Sequence, residues 1–302
     1  MVILEVLVVY KKTQLQLALE KRNSRIQRLL KRKDPSVEAM RASHENHAAT
    51  LVEVERVLKA EKVPYRKVYR ARLRPAMIVD KLVISVGGDG TLLDTSHKLT
   101  HEHVLGVNSD TAHSVGFLCA AHRGTFAALF AGVLAGSWRP TAVRRLSGSI
   151  DGVDLPFPVL NDILVAHKNP AATSRYLIAH QGVVEDQKSS GVWAATAAGS
   201  TAALQSAGGA VVALDDPRCQ LRVREPFVAD GPPLKLASLW LGKNDAVAIT
   251  SKMREGRVYL DGPHEVFDLP MGATLLLHDH APPLLLYATA EMAQRREVVR
   301  RR

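Results

Sequence analysis

The sequence predicts an α/β N-terminal domain with a mainly parallel sheet, followed by a β-rich C-terminal domain. Three observations carry this expectation. Short apolar, β-branched runs alternate with helical stretches over the first 140 residues. A glycine turn, Gly87-Gly88-Asp89-Gly90-Thr91, separates one such run from the helical stretch after it. Beyond about residue 140 the texture changes to short apolar runs broken by Gly, Pro, Asp and Asn.

In chain order, Val2 to Val9 reads as a buried strand, and Gln14 to Lys31 places leucines and Ile26 at helical spacing among basic residues. Asp34-Pro35-Ser36 interrupts, and a second helical stretch runs to about Lys62 before Pro64 stops it. Tyr65 to Tyr69 and Leu82 to Val86 read as strands, Thr91 to Leu99 as a helix, Val104 to Val107 as a strand and Arg123 to Ala135 as a helix. Strand readings follow at Val159 to Val165, Arg175 to Ala179, Ala246 to Thr250, Arg257 to Leu260, Ala273 to Leu277 and Leu284 to Tyr287. Ser200 to Ser206, rich in alanine and preceded by Gly199, is helical. The domains expected are therefore 1–140, 141–288, and a C-terminal helix with a basic tail over 289–302.

The 302 residues suffice for two domains, and 46% hydrophobic with 23% charged residues describes a folded chain. Cys119 and Cys219 show no C-x-x-C spacing, so neither a disulfide framework nor a zinc site is expected, and the compartment is read as reducing and cytoplasmic. The N-terminal run is too short and too acidic at Glu5 for a signal peptide, and no apolar run reaches the ~20 residues that span a bilayer. A formal charge of +10 concentrates in Lys11 to Lys33 and in the tail from Arg295. It reads as solvated helix and tail, or as attraction for polyanionic nucleotides, with no aromatic interleaving of the kind that serves specific nucleic-acid binding. The histidines show no metal-ligand spacing; His278-Asp279-His280 is a chance metal binder at most.

The chemistry concentrates in Gly87-Gly88-Asp89-Gly90-Thr91. A strand, a glycine turn and a helix start aim backbone N–H groups and a positive dipole end at whatever lies beyond, which suits phosphate. A carboxylate there repels phosphate unless it holds a metal or accepts a hydroxyl proton. The plainer reading is a capped tight turn. Taken singly, Asn161-Asp162 reads as a turn into a strand, Phe117 as core, and Gly199-Ser200-Thr201 as a helix cap.

The pentapeptide is shared by NAD kinases and by diacylglycerol and sphingosine kinases. Gly106-Val-Asn108 with Gly116-Phe117-Leu118, Leu160-Asn161-Asp162, and Gly191 to Ala203 with Gly208-Gly209 follow in the order of NAD kinase motifs, so the chain resembles that family. Val8 to Thr13, Asn108-Ser-Asp110, Asp186 to Gly191 and Arg224-Glu225-Pro226 are similar to its mitochondrial-type branch and bacterial relatives. No presequence is expected, since the first strand is read from residue 2.

The resemblance implies a Rossmann-like first domain in an NAD kinase/diacylglycerol kinase-like fold, a homodimer or higher homo-oligomer, and transfer of the terminal phosphate of ATP, with Mg2+, to the 2′-hydroxyl of the adenosine ribose of NAD. It assigns Asp89 as proton acceptor, Gly87, Gly88, Gly90 and Thr91 to the ATP phosphates, and Gly90, Phe117, Asn161, Asp162, Lys188, Thr201 and Ser206 to NAD. No specific nucleic-acid or membrane partner is implied. A non-catalytic dinucleotide sensor and a diacylglycerol-type lipid kinase are the alternatives. The chain departs from the family at Ala195-Thr196-Ala197-Ala198, where Ser-Thr-Pro-Thr is common, at Ala203, where a tyrosine is common, and at Ser190, where an aspartate is frequent.

Overall fold

The computed structural model describes residues 5–228, 233–278 and 281–301. The first residues of the expected N-terminal strand, Asp279 and His280 of the histidine cluster, and Arg302 lie outside them. The chain divides into two compact units, Met1–Thr141 with Leu285–Met292, and Ala142–Leu284 with Ala293–Arg302.

In the first unit, strands β1 (Val6–Tyr10), β2 (Tyr65–Tyr69), β3 (Leu82–Gly87) and β4 (His103–Asn108) pair in parallel in the order β2-β1-β3-β4. The register sets Val8 opposite both Lys67 and Ile84, and Ile84 opposite Leu105. Val6, Val8, Leu82, Val83, Ile84, Val104 and Leu105 are fully buried. Consecutive burial, rather than alternation, is what a parallel strand covered on both faces requires. The helices of this unit are α1 (Gln14–Glu20), α2 (Ser24–Lys31), α3 (Glu38–Ala60), α4 (Asp89–Ser96) and α5 (Phe126–Leu134).

Two sequence readings change here. The single helix expected over Gln14 to Lys31 is two, because the chain turns at Arg22 (φ 50°) and Asn23 caps a new helix by accepting from the Ile26 N–H at 3.1 Å. The first of the pair opens on a capping box in which Thr13 and Gln16 exchange hydrogen bonds. The sequence places Leu284 to Tyr287 with the β-rich part, but Leu285 and Leu286 pair in parallel with His103 and Val104 of β4. A leucine trio has no periodicity to say which sheet it joins.

Among the described residues the second unit holds two six-stranded antiparallel sheets. One runs Val183–Ser189, Ser174–His180, Val247–Ser251, Thr274–His278, Ser147–Ile150, Val153–Asp154; the other runs Ser238–Leu241, Cys219–Val223, Val192–Ala195, Asp162–His167, Gly256–Leu260, Glu265–Asp268. Their inward residues form one core, with Tyr176, Ile178, Ile249 and Leu275 from the first sheet and Ile163, Val165, Leu221 and Val258 from the second. Buried and half-buried positions alternate along Val247–Ser251 and Gly256–Leu260, the period-two pattern of sheets with one covered face. No helix among the described residues is long and apolar enough to cross a membrane.

Candidate active site

The carboxyl ends of the four parallel strands, with the segments that leave them, enclose a cavity of about 680 Å³. Lys11, Lys12 and Thr13 follow β1, Arg70 follows β2, Gly88 to Thr91 follow β3, and His113 and Ser114 follow β4. Open α/β sheets bind ligands at this end of their strands. Three cations and one carboxylate line the cavity, with Lys12 paired to Glu20 (2.7 Å) and Arg70 to Asp94 (2.9 Å), so the lining offers an anion cationic groups that are partly neutralised already.

Each member of the glycine turn does something different. Helix α4 starts at Asp89, two residues before the expected Thr91, with Gly88 as its N-cap. A Cβ at Gly87 would lie 2.1 Å from Thr91 Oγ1, so Gly87 is needed for the close packing of Thr91. Nothing lies within 4 Å of a Cβ placed on Gly90, so that glycine leaves cavity space open rather than relieving a clash. The Asp89 carboxylate accepts the Phe117 N–H at Oδ2 (2.9 Å) and the Leu118 N–H at Oδ1 (2.8 Å), which fixes its rotamer. Arg70 donates to the Gly90 carbonyl (3.2 Å) and pairs with Asp94 (2.9 Å), tying β2 to the same turn.

Around the mouth, burial lowers the Lys11 ammonium pKa, with Asp110 opposing it. Burial also disfavours ionised Asp110, but hydrogen bonds from Ser43, His113 and Asn46 outweigh that and hold it below the usual carboxylate range. Burial first, then the charge of Lys11, lower the His47 pKa to about 4; its Nδ1 lies 2.9 Å from Ser109 Oγ.

In the second unit the residues singled out by sequence fall in four places. Asp162 opens the strand Asp162–His167 opposite Ala195, and is 5% exposed. The Asp261 carboxylate accepts the N–H groups of Leu160 (2.9 Å), Asn161 (2.6 Å) and Asp162 (3.1 Å). Burial, reinforced by Asp261, raises the Asp162 pKa to about 7. The Asn161 Oδ1 atom is buried and has no hydrogen-bond partner among the described residues. Ser206 lines a cavity of about 480 Å³ with Trp193, Ala203, Ala207 and Arg224, whereas Lys188 lines one of about 370 Å³ with Arg175, Ser190 and Phe227. Glu225 lines both and accepts the Ser190 hydroxyl. Thr201 closes the 3-10 turn Ala198–Thr201 that precedes the short helix Ala203–Ser206.

The turn residues Gly87 to Thr91 and the Phe117 amide are thus brought together in the first unit, and the Phe117 ring is half-buried. Sequence reasoning missed Lys11, Lys12 and Arg70, although their places just past strand ends were signal enough. Asp261 had no such signal, because it reaches Asn161 across 100 positions of sequence.

No family model matches the chain. A protein of Oryza sativa subsp. japonica named "Probable NADH kinase" is 35% identical over 261 residues, which is 79% of this chain and 80% of the relative. The "NADH kinase" of Arabidopsis thaliana is 32% identical over 272 residues, 80% of this chain and 83% of the relative. Among solved structures, an NAD kinase from Archaeoglobus fulgidus in complex with ATP shares the fold, with a TM-score of 0.72, 19% identity and 98% of each chain covered. Yeast NADH kinase complexed with NADH gives 0.68 and 18%, over 97% of this chain and 86% of the other.

Proposed function

The chain belongs to the NAD kinase family, and on that premise we propose that it transfers the terminal phosphate of ATP to the 2′-hydroxyl of the adenosine ribose of NAD, giving NADP. The observation that carries the reading is the Asp89 carboxylate, held by the Phe117 and Leu118 amides in a cavity lined by Lys11, Lys12 and Arg70. For phosphate binding alone, a carboxylate at that point is unfavourable; for accepting a hydroxyl proton it is well placed.

In the reaction the 2′-oxygen attacks the γ-phosphorus and its proton passes to Asp89. The bond from the γ-phosphorus to the bridging oxygen breaks, and ADP leaves with the electron pair. Gly87, Gly88, Gly90 and Thr91 hold the donor phosphates at the start of α4, and Lys11 and Arg70 neutralise charge on the transferring group. Phe117, Asn161, Asp162, Lys188, Thr201 and Ser206 bind NAD, with Asp162 accepting ribose hydroxyls in its ionised form. On this reading residues 1–140 take the donor and contribute Phe117 to NAD, and 141–288 supply the other NAD contacts, with 289–302 as C-terminal helix and tail.

No group of three or more His, Cys, Asp and Glu side chains placed to hold a metal occurs among the described residues. Mg2+ is commonly bound through substrate phosphates plus one or two carboxylates, and Asp89 is the acidic member of the cavity lining, so the donor set fits a metal that enters with the triphosphate. When bound, the ion neutralises phosphate charge. The buried cysteines Cys119 and Cys219 accord with the cytoplasm as the setting, and a homodimer or higher homo-oligomer belongs to the same reading.

Asp89→Asn tests the proposal, since it keeps size and removes basicity. Turnover should fall by about 10²–10⁴ while NAD binding by calorimetry changes little. A dinucleotide sensor predicts binding equal or tighter and no turnover to lose. Turnover within a factor of about three of wild type would remove Asp89 as the base.

A further inference from the structure

The basic tail beginning at Arg295 reads in sequence as solvated charge, but Arg296 is 3% exposed. It lies on the helix Ala290–Arg300, and its guanidinium meets the loop after strand Val192–Ala195. Nη2 donates to the Ala197 carbonyl and to Ser200 Oγ (2.9 Å), and Nε donates to the Val212 carbonyl (3.1 Å). The Ser200 hydroxyl in turn donates to the Ala197 carbonyl (2.8 Å) and accepts the Val212 N–H (3.2 Å). One guanidinium, through Nε and Nη2, and one hydroxyl thereby join the C-terminal helix, the loop and the segment at Val212.

The opposite side of the loop rests on the Asn161-Asp162 motif. Thr196 donates its N–H to the Asn161 carbonyl (2.9 Å) and its hydroxyl to the Leu160 carbonyl. Gly199 packs so closely there that a Cβ would sit 2.2 Å from the Asn161 carbonyl oxygen. Alanine occupies positions 195, 197, 198, 202 and 203, so the loop has few side chains with which to hold its own shape. Burying an arginine is costly, and an apolar residue of similar volume often packs at least as stably. General stability is therefore a weak reason for this residue to be here, whereas a fork of N–H groups matched to two carbonyls and a hydroxyl dictates local geometry.

We propose that Arg296 is a positioning residue for the reaction, holding the Ala197–Ser200 loop, and through it Asn161 and Asp162, in the geometry that binds the dinucleotide. The proposal rests on the reading that Asn161 and Asp162 meet NAD. It makes the C-terminal helix part of the acceptor site's support while leaving the donor cavity untouched.

The test combines steady-state kinetics with hydrogen exchange on Arg296→Ala and Arg296→Lys in the full chain. In Arg296→Ala the KM for NAD should rise about tenfold or more, with kcat and the KM for ATP within about threefold of wild type. Amide exchange should accelerate at Thr196, Ala202 and Val212 but not across the parallel sheet. Arg296→Lys, which keeps the charge and one donor group, should recover part of the NAD effect. Should Arg296→Ala fail to fold, Arg296→Met, of similar length and without donors, carries the same measurements. An unchanged KM for NAD, or a KM for ATP that rises equally, overturns the proposal. Failure of the underlying kinase reading appears separately, as wild-type chain that forms no NADP, and overturns both.

Discussion

Asp162 is the residue whose chemistry is most exposed to experiment, because burial and Asp261 raise its pKa to about 7. An acid whose folded-state pKa is raised binds its proton more tightly folded than unfolded. The stability it contributes is therefore fully present below the ordinary carboxylate range and is lost as pH rises through about 7. Asp162→Asn should flatten that part of the stability–pH curve in chemical denaturation. If the ionised form accepts ribose hydroxyls, the KM for NAD should improve as pH rises through the same interval and lose this dependence in the variant. A pH profile that Asp162→Asn leaves unaltered would assign the titration to another group. Asp89, Asn161 and Asp162 were all legible in the sequence as motif residues. What holds them was not, because the Phe117 and Leu118 amides and the Asp261 carboxylate act through backbone geometry and distant chain positions.

At the scale of elements, the strand–turn–helix at β3 and α4 was readable because a buried strand, a glycine turn and a helix start each leave a local signature. The break between α1 and α2 was not, since leucine spacing continues through Arg22-Asn23 and only the cap at Asn23 marks it. Strands such as Val183–Ser189, with Glu185, Asp186 and Lys188, escaped notice because a sheet's partly exposed face tolerates charge. The turn itself yields a contrast between two glycines. Gly87→Ala must displace Thr91 and should lower the melting temperature, whereas Gly90→Ala meets open space and should leave it unchanged while raising the KM for ATP. Thermal unfolding followed by donor kinetics separates the two; equal effects on stability would contradict the roles given to them. At the start of the helix Ala203–Ser206, Ala203→Tyr should fill part of the cavity it shares with Trp193 and Ser206. An aromatic contact worth ~0.5–1.5 kcal/mol would then shift the KM for NAD more than kcat, and no change in either would remove this helix from the pocket.

Over the whole molecule, the fold class was evident from beta-alpha repetition giving way to short apolar runs, and the return of Leu285 and Leu286 to the parallel sheet was not. Of the basic residues behind the net charge of +10, Lys11, Lys12 and Arg70 line the cavity beside the glycine turn, and on the proposed reading this charge serves nucleotide phosphates. Binding to DNA should accordingly be weak at physiological salt and fall steeply as salt rises; sequence-selective, nanomolar binding in a titration would overturn that view. The central claim is phosphoryl transfer between two nucleotides, and the fate of the γ-phosphate tests it most directly. Incubating the purified chain with γ-labelled ATP, magnesium and either NAD or NADH should place the label on the dinucleotide, one ADP formed for each NADP or NADPH. Label appearing only as inorganic phosphate, or remaining in ATP, would contradict it.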